Sequence, residues 1–260
     1  MKQKFWIKDF PQVTIIIFFI FNFFGMQFYA GGNMINSDQS GYDFSFNFFS
    51  DLGALYSHNG ELNIISFCLF NSSLAFVGIC FAILFYKIRN VFKDYKIISR
   101  VGSIFGIISG LLYLGVAFTP SDTPLNLFQD NMGDPWLHIF VATWAFRSIV
   151  ITAIIYSVII FKTKNFDNKY AYGFVVFGTF VLCYVIYTLP PNGDNVYFLL
   201  DARPPAGTNL SVTLESDKYL LNLQKHVLAQ KAVVFWMLSS IYIYTLGLSN
   251  YLLKKELINN

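Results

Sequence analysis

Long apolar runs separated by short polar ones dominate the chain. A helix needs about 20 mostly apolar residues to cross a bilayer. Six segments meet that length: Pro11–Ala30, Leu62–Tyr86, Val101–Thr119, Trp136–Phe161, Tyr170–Leu189 and His226–Tyr251. The connections between them alternate in kind. Those after the second and fourth segments are short, and those after the first, third and fifth are long and rich in Gly, Pro and Asn. The pattern predicts an all-α polytopic membrane protein: a six-transmembrane-helix bundle with long outer loops, forming a single integral membrane domain over residues 1–260.

Lys2, Lys4 and Lys8 precede the first apolar run, as in a signal peptide. The run is long, however, and Phe28 stands where a small residue would be needed if Ala30 ended the leader. It reads as a retained helix.

Charge gives the expected orientation. Thirteen of the 18 basic residues lie before the first helix, in the two short connections and after the sixth helix. That side is expected to be cytoplasmic, with both termini on it. Eleven of the 15 acidic residues and all three histidines fall on the other side. Long loops beyond what connectivity requires are more often functional, so the outer face is where a site is expected.

Composition agrees with a membrane class. Hydrophobic residues are 55% of the 260, and charged residues only 13%. Soluble domains carry roughly 25% charged residues. A net charge of +3 supplies no dense basic face, so nucleic acid is not an expected partner. Membrane lipids are expected, and a membrane-protein partner or homo-oligomer is compatible. Cys68, Cys80 and Cys183 all lie in apolar runs without a CxxC pair, and read as small apolar core residues.

The first outer loop contains Phe44–His58, FSFNFFSDLGALYSH. On a helix, Asn47, Asp51 and His58 share one face, because they are spaced by four and seven. Gly53 argues against one continuous helix. In the other reading, Ser50 or Asp51 caps a helix starting near Leu52.

The run Asn47-Phe-Phe-Ser50-Asp51-Leu52-Gly53, with Asn71 and Gly78 in the next helix, resembles a bacterial family of six-helix membrane proteins. That family is catalogued as domain of unknown function 998 and is related to the DRAM-like membrane proteins. Gly115-Val-Ala-Phe-Thr-Pro120-Ser121-Asp122, followed by His138, resembles its second motif. The resemblance implies the fold, a place in the bacterial plasma (inner) membrane and a lipid-related substrate class. It implies no particular reaction.

Ionisable residues inside a bilayer mark functional sites by default. Arg147 lies about 16 Å into the fourth helix, near mid-membrane, and is expected to face the bundle interior as an anion site or a structural clasp. Lys231, His226 and Gln230 on the sixth helix are the other candidate ligand-binding residues. Asp51, His58, Asp122 and His138 are the candidate catalytic residues. If a metal is bound, His58, His138 and His226 are the expected ligands, and such a set with a carboxylate suits zinc. Asn22 and Asn71 are expected to form interhelical hydrogen bonds.

Two functions fit. One is a protein that binds or processes a lipid-like or anionic ligand in a polar cavity opening to the outer face. The alternative is a non-catalytic membrane subunit or scaffold that docks a partner through its outer loops, with Tyr197, Phe198 and Leu199 as anchors.

Overall fold

The computed structural model describes residues 4–120, 136–188 and 217–259. Among them the structure is helical. A wide π-type turn, Phe5–Asp9, leads into α1 (Phe10–Gln27), followed by α2 (Ile64–Ile88), α3 (Lys96–Phe118), α4 (Trp136–Lys162), α5 (Lys169–Thr188) and α6 (Asp217–Asn259). There is no strand among the described residues, only two isolated antiparallel bridges, Gly31–Ser40 and Tyr56–Leu62. Pro11 fits α1 because it lies in the first turn, where its missing N–H has no helical partner.

Among the described residues five helices are long and apolar enough to cross a membrane: Phe5–Gln27, Ile64–Ile88, Lys93–Phe118, Leu137–Lys162 and Leu223–Lys255. In α5 the apolar stretch is shorter, Lys169–Tyr184. Each helix packs on the next in sequence, and α6 returns to α1 and closes the bundle. The outward surface is apolar, with Val13, Phe23, Ile65, Ile104 and Ile154 all exposed.

Small residues let the helices approach closely. A Cβ on Gly78 of α2 would lie 2.6 Å from the Gly110 carbonyl of α3, so their backbones touch. Hydroxyls then bridge α3 and α4. Ser109 donates to the Ala145 carbonyl at 2.9 Å, and Thr152 to the Gly102 carbonyl at 3.1 Å. Asn22 makes the expected interhelical bond, to Ser73 at 3.2 Å. Asn71 instead donates to the carbonyl of Gly53 in the first loop, at 3.0 Å. Of the cysteines only Cys80 is buried, so Cys68 and Cys183 are not core residues.

The sixth helix is far longer than its apolar core, starting nine residues before His226. Its early turns have a packing role. Leu223 and Val227 form a small second core with Met34, and Ile35, Phe46 and Phe48 of the first loop press against it. That loop and α6 together position the candidate site.

Candidate functional site

The predicted helix over Phe44–His58 does not form. Phe48 is extended, and a single tight 3-10 turn, Phe49–Gly53, follows it. The turn closes because the Asp51 carboxylate reaches back and accepts the Phe48 N–H at 2.8 Å. Asp51 thus acts inside the turn, and no helix starts at Leu52. Gly53 ends the turn against α2: a Cβ there would lie 2.6 Å from the Phe70 ring and 3.0 Å from the Asn71 side chain.

Asn47, Asp51 and His58 nevertheless converge, through the turn and not through a helical face. Asn47 donates its side-chain amide to the Asp51 carboxylate at 3.3 Å. His58 Nε2 lies 3.2 Å from the same oxygen. The carboxylate is almost sealed, at 2% side-chain exposure, whereas the His58 side chain is 17% exposed. A carboxylate in a Phe-rich segment stays charged only with such donors around it.

The sixth helix contributes two adjacent side chains. Gln230 accepts the Phe49 N–H at 2.8 Å. Lys231, 5% exposed, donates to the Asn47 carbonyl. Its ammonium also lies 5.4 Å from the Tyr42 ring centre and 5.0 Å from that of Phe44. Such ring faces attract a cation that has lost its water. The Tyr42 hydroxyl donates to the carbonyls of Asn47 and Phe48, at 3.0 and 3.1 Å. Burial first, and then the Asp51 charge, push the Tyr42 hydroxyl well above its ordinary pKa.

The site therefore holds an acid, a histidine and an amine, with His58 as the member that reaches the surface. The Asp51 contact fixes the orientation of the imidazole. Among the described residues no group bonds Nδ1. Lys231 supplies positive charge beneath the loop.

Other candidates lie elsewhere. His138 is half-buried, with Nδ1 2.6 Å from the Thr119 carbonyl just past the end of α3. His226 is buried one turn from Gln230, edge-on to Tyr184 of α5 at 5.9 Å. The three histidines do not converge, and no group of three His, Cys, Asp or Glu side chains among the described residues could hold a metal ion. Asp122 and the loop residues Tyr197, Phe198 and Leu199 lie outside the described residues.

Arg147 corrects the expectation of an interior position. Its side chain is exposed on the outward face of α4, with the guanidinium 5.0 Å from the Trp144 ring centre. The inward face of α4 carries small and apolar residues such as Ala145, Ser148 and Ile149, and Arg147 stands at a different angle around the helix.

Tyr42, Phe44, Asn63 and Ser66 were not among the sequence candidates. Asn63 donates to the carbonyls of Leu52 and Ala54, and Ser66 to that of Leu52, fastening the turn to the start of α2. The spacing of these residues carries no signal of it.

No family model, curated protein or solved structure matches the chain.

Proposed function

We propose that the chain is an integral protein of the bacterial inner membrane that binds, and at its Asp51–His58 pair processes, an anionic lipid-like molecule at the outer end of the bundle. In this reading α5 is a sixth crossing and both termini are cytoplasmic. The alternation of basic and acidic connections supports that topology. The run Asn47–Gly53, with Asn71 and Gly78, supports a place in the domain-998 family. The observation that carries the functional reading is that Asn47 joins the Asp51–His58 pair to Lys231, its side chain donating to Asp51 and its carbonyl accepting from a lysine more than 170 residues away. Burying an amine and a carboxylate is costly, and ionisable groups at membrane depth concentrate at sites of function. His58, oriented by Asp51, serves as the proton donor or acceptor, and Lys231 attracts the anionic group.

Thermal stability of the detergent-solubilised protein tests this. Oleate or phosphatidylglycerol should raise Tm by several degrees, and phosphatidylcholine should not. The rise should shrink in Lys231→Met and in His58→Gln. Equal shifts from all three amphiphiles, or an undiminished rise in both variants, would count against a ligand site here.

One observation favours the second reading, a non-catalytic subunit docking a partner through its outer loops. Gln230, Lys231, Asn63, Ser66 and Asn71 all bond loop backbone, as a clasp would. Under that reading His58→Gln leaves every function intact, and Asp51→Asn loosens the loop and weakens partner capture.

A further inference from the structure

We infer that the outward face of α4 is a docking surface for a transmembrane helix of a different protein, one that carries an Asp or Glu near mid-span. The inference rests on the membrane reading of the chain and is independent of the site in the first loop.

Arg147 lies 11 residues from the Trp136 end of α4, about 16 Å along the axis. Its level is that of the middle of α3, since Ala145 is bonded by Ser109. A hydrocarbon core about 30 Å thick therefore surrounds it on both sides. Phe140, Trp144, Ile151 and Ile154 are exposed along with it. Spacings of four, three, four and three put all five on one stripe of the helix. The stripe is apolar except at its centre.

A guanidinium cannot shed its proton to enter hydrocarbon. The side chain folds back toward Trp144, one turn nearer the Trp136 end, as helical side chains do. One turn is only 5.4 Å and leaves the charge well below the interface. Its guanidinium lies over the Trp144 ring, and it has no carboxylate partner among the described residues.

Charge complementarity calls for an anion at the same depth. A phosphate headgroup sits at the interface, too far out to meet Arg147 without thinning the bilayer. A second copy of this chain does not supply one either. No Asp or Glu occurs in α1 to α5, and α6 has them only near its ends, at Asp217 and Glu256. The fitting occupant is another protein's helix with a mid-span carboxylate. That group would take the guanidinium fork bidentately, with its apolar side chains against Ile151 and Ile154.

Site-specific photo-crosslinking of the full chain in its host's own membranes tests this. A benzophenone side chain is placed at Ile151 or Ile154, with Val175 on the exposed face of α5 as control. The expected product is an adduct from α4 positions only, whose crosslinked peptide from another protein holds a central Asp or Glu. Arg147→Leu should cut its yield at least tenfold while the chain still folds, and Arg147→Lys, which keeps the charge but loses the fork, should give an intermediate yield. Exchanging the charges, Arg147→Asp with the partner's acid changed to Arg, should restore it. Adducts only to lipid, to a second copy or to this chain's own loops would overturn the inference, as would an adduct unchanged in Arg147→Leu. Resistance of the chain to alkaline carbonate extraction checks the membrane reading separately, so the failure of one is not mistaken for failure of the other.

Discussion

The two ends of the bundle are closed by different chemistry. At the end that carries the first loop, polar side chains bond backbone: Asp51 to Phe48, Gln230 to Phe49, Lys231 to Asn47 and Asn71 to Gly53. At the opposite end, rings close the bundle. Phe92, in the turn after α2, stacks on Tyr251 at 5.9 Å and 14°, and Tyr251 stacks on Phe166 at 5.1 Å. Tyr156 adds a hydroxyl bonded to Ser103 at 2.7 Å. Short turns there need only cover the helix ends, and nondirectional aromatic burial suffices. A 36-residue loop has many more backbone groups to satisfy, so its anchors are directional and partly charged. Apolar packing tolerates similar shapes, but a buried ion with its donors fails when one member is removed. The two ends should therefore respond differently to substitution.

The largest effect should come from Asp51→Ala. It removes the acceptor that closes the 3-10 turn and the carboxylate that His58 contacts, and leaves Lys231 with Asp43 as its remaining negative neighbour. Breaking a buried charged group away from its partners costs about 4 kcal/mol. Thermal unfolding in detergent, with protease digestion of the first loop, should show the loop opening before the helices. Asp38→Ala in the same loop should do little, because Asp38 is exposed and only its backbone N–H is engaged, donating to the Asn36 side chain at 2.9 Å. Equal, negligible effects of both changes would overturn the account of Asp51.

Phe92→Ala should come next, at about 3 kcal/mol for a truncated buried ring. Its signature differs. Packing is lost around Tyr251, Phe166 and Tyr156, while protease sensitivity of the first loop stays as in the wild type. If both variants opened the same loop, the two ends would be one cooperative unit and the contrast would fail.

The helices were legible in the apolar runs, because a helix in lipid satisfies its own backbone and needs no distant partner. What was not legible is tertiary. The first turns of α6 look like loop, since Asp217, Lys218, Asn222 and Lys225 are polar; Leu223 and Val227 are helical because the loop packs on them. The helical reading of Phe44–His58 lost to a local competitor, a carboxylate bonding its own backbone three residues back. That Asp51 would be bonded was readable from its Phe-rich setting. That Lys231 would meet Asn47, 184 residues away, was not. Arg147 misled because burying an ion in the bundle is only one answer to hydrocarbon; its face of α4 points outward.

Gly53→Ala probes the directional end without touching a charge. The added methyl meets the Phe70 ring at 2.6 Å and must push the turn away from α2. Overpacking of this kind costs about 2 kcal/mol. Because Asn71 donates to the Gly53 carbonyl, the shift should also lengthen that bond. A second change, Phe70→Leu, makes room for the methyl and should recover part of the loss. No recovery would mean that the close approach to Phe70 is not what requires glycine.

The smallest and most diagnostic change is Tyr42→Phe. It deletes one hydroxyl with two acceptors, the carbonyls of Asn47 and Phe48, and keeps the ring that faces Lys231. At neutral pH the loss should be about 1 kcal/mol, a typical net value for a hydrogen bond. The pH dependence carries more information. Burial, and then the charge of Asp51, raise the Tyr42 pKa in the folded protein. The fold thus holds the phenolic proton more tightly than the unfolded chain, where the group titrates near 10. Its contribution is present in full below about pH 10 and declines as the pH rises beyond that, because unfolding then releases the proton. The phenylalanine variant lacks this proton, so its Tm should fall less steeply between pH 9 and about 11, and the gap between the two proteins should narrow. The difference between the two curves reports Tyr42 together with the charges coupled to it, Asp51 first and then Tyr29 and Asp43. Parallel Tm curves would mean that the hydroxyl is not sealed against Asp51, and would remove the sharpest distinction between the polar end and the aromatic one.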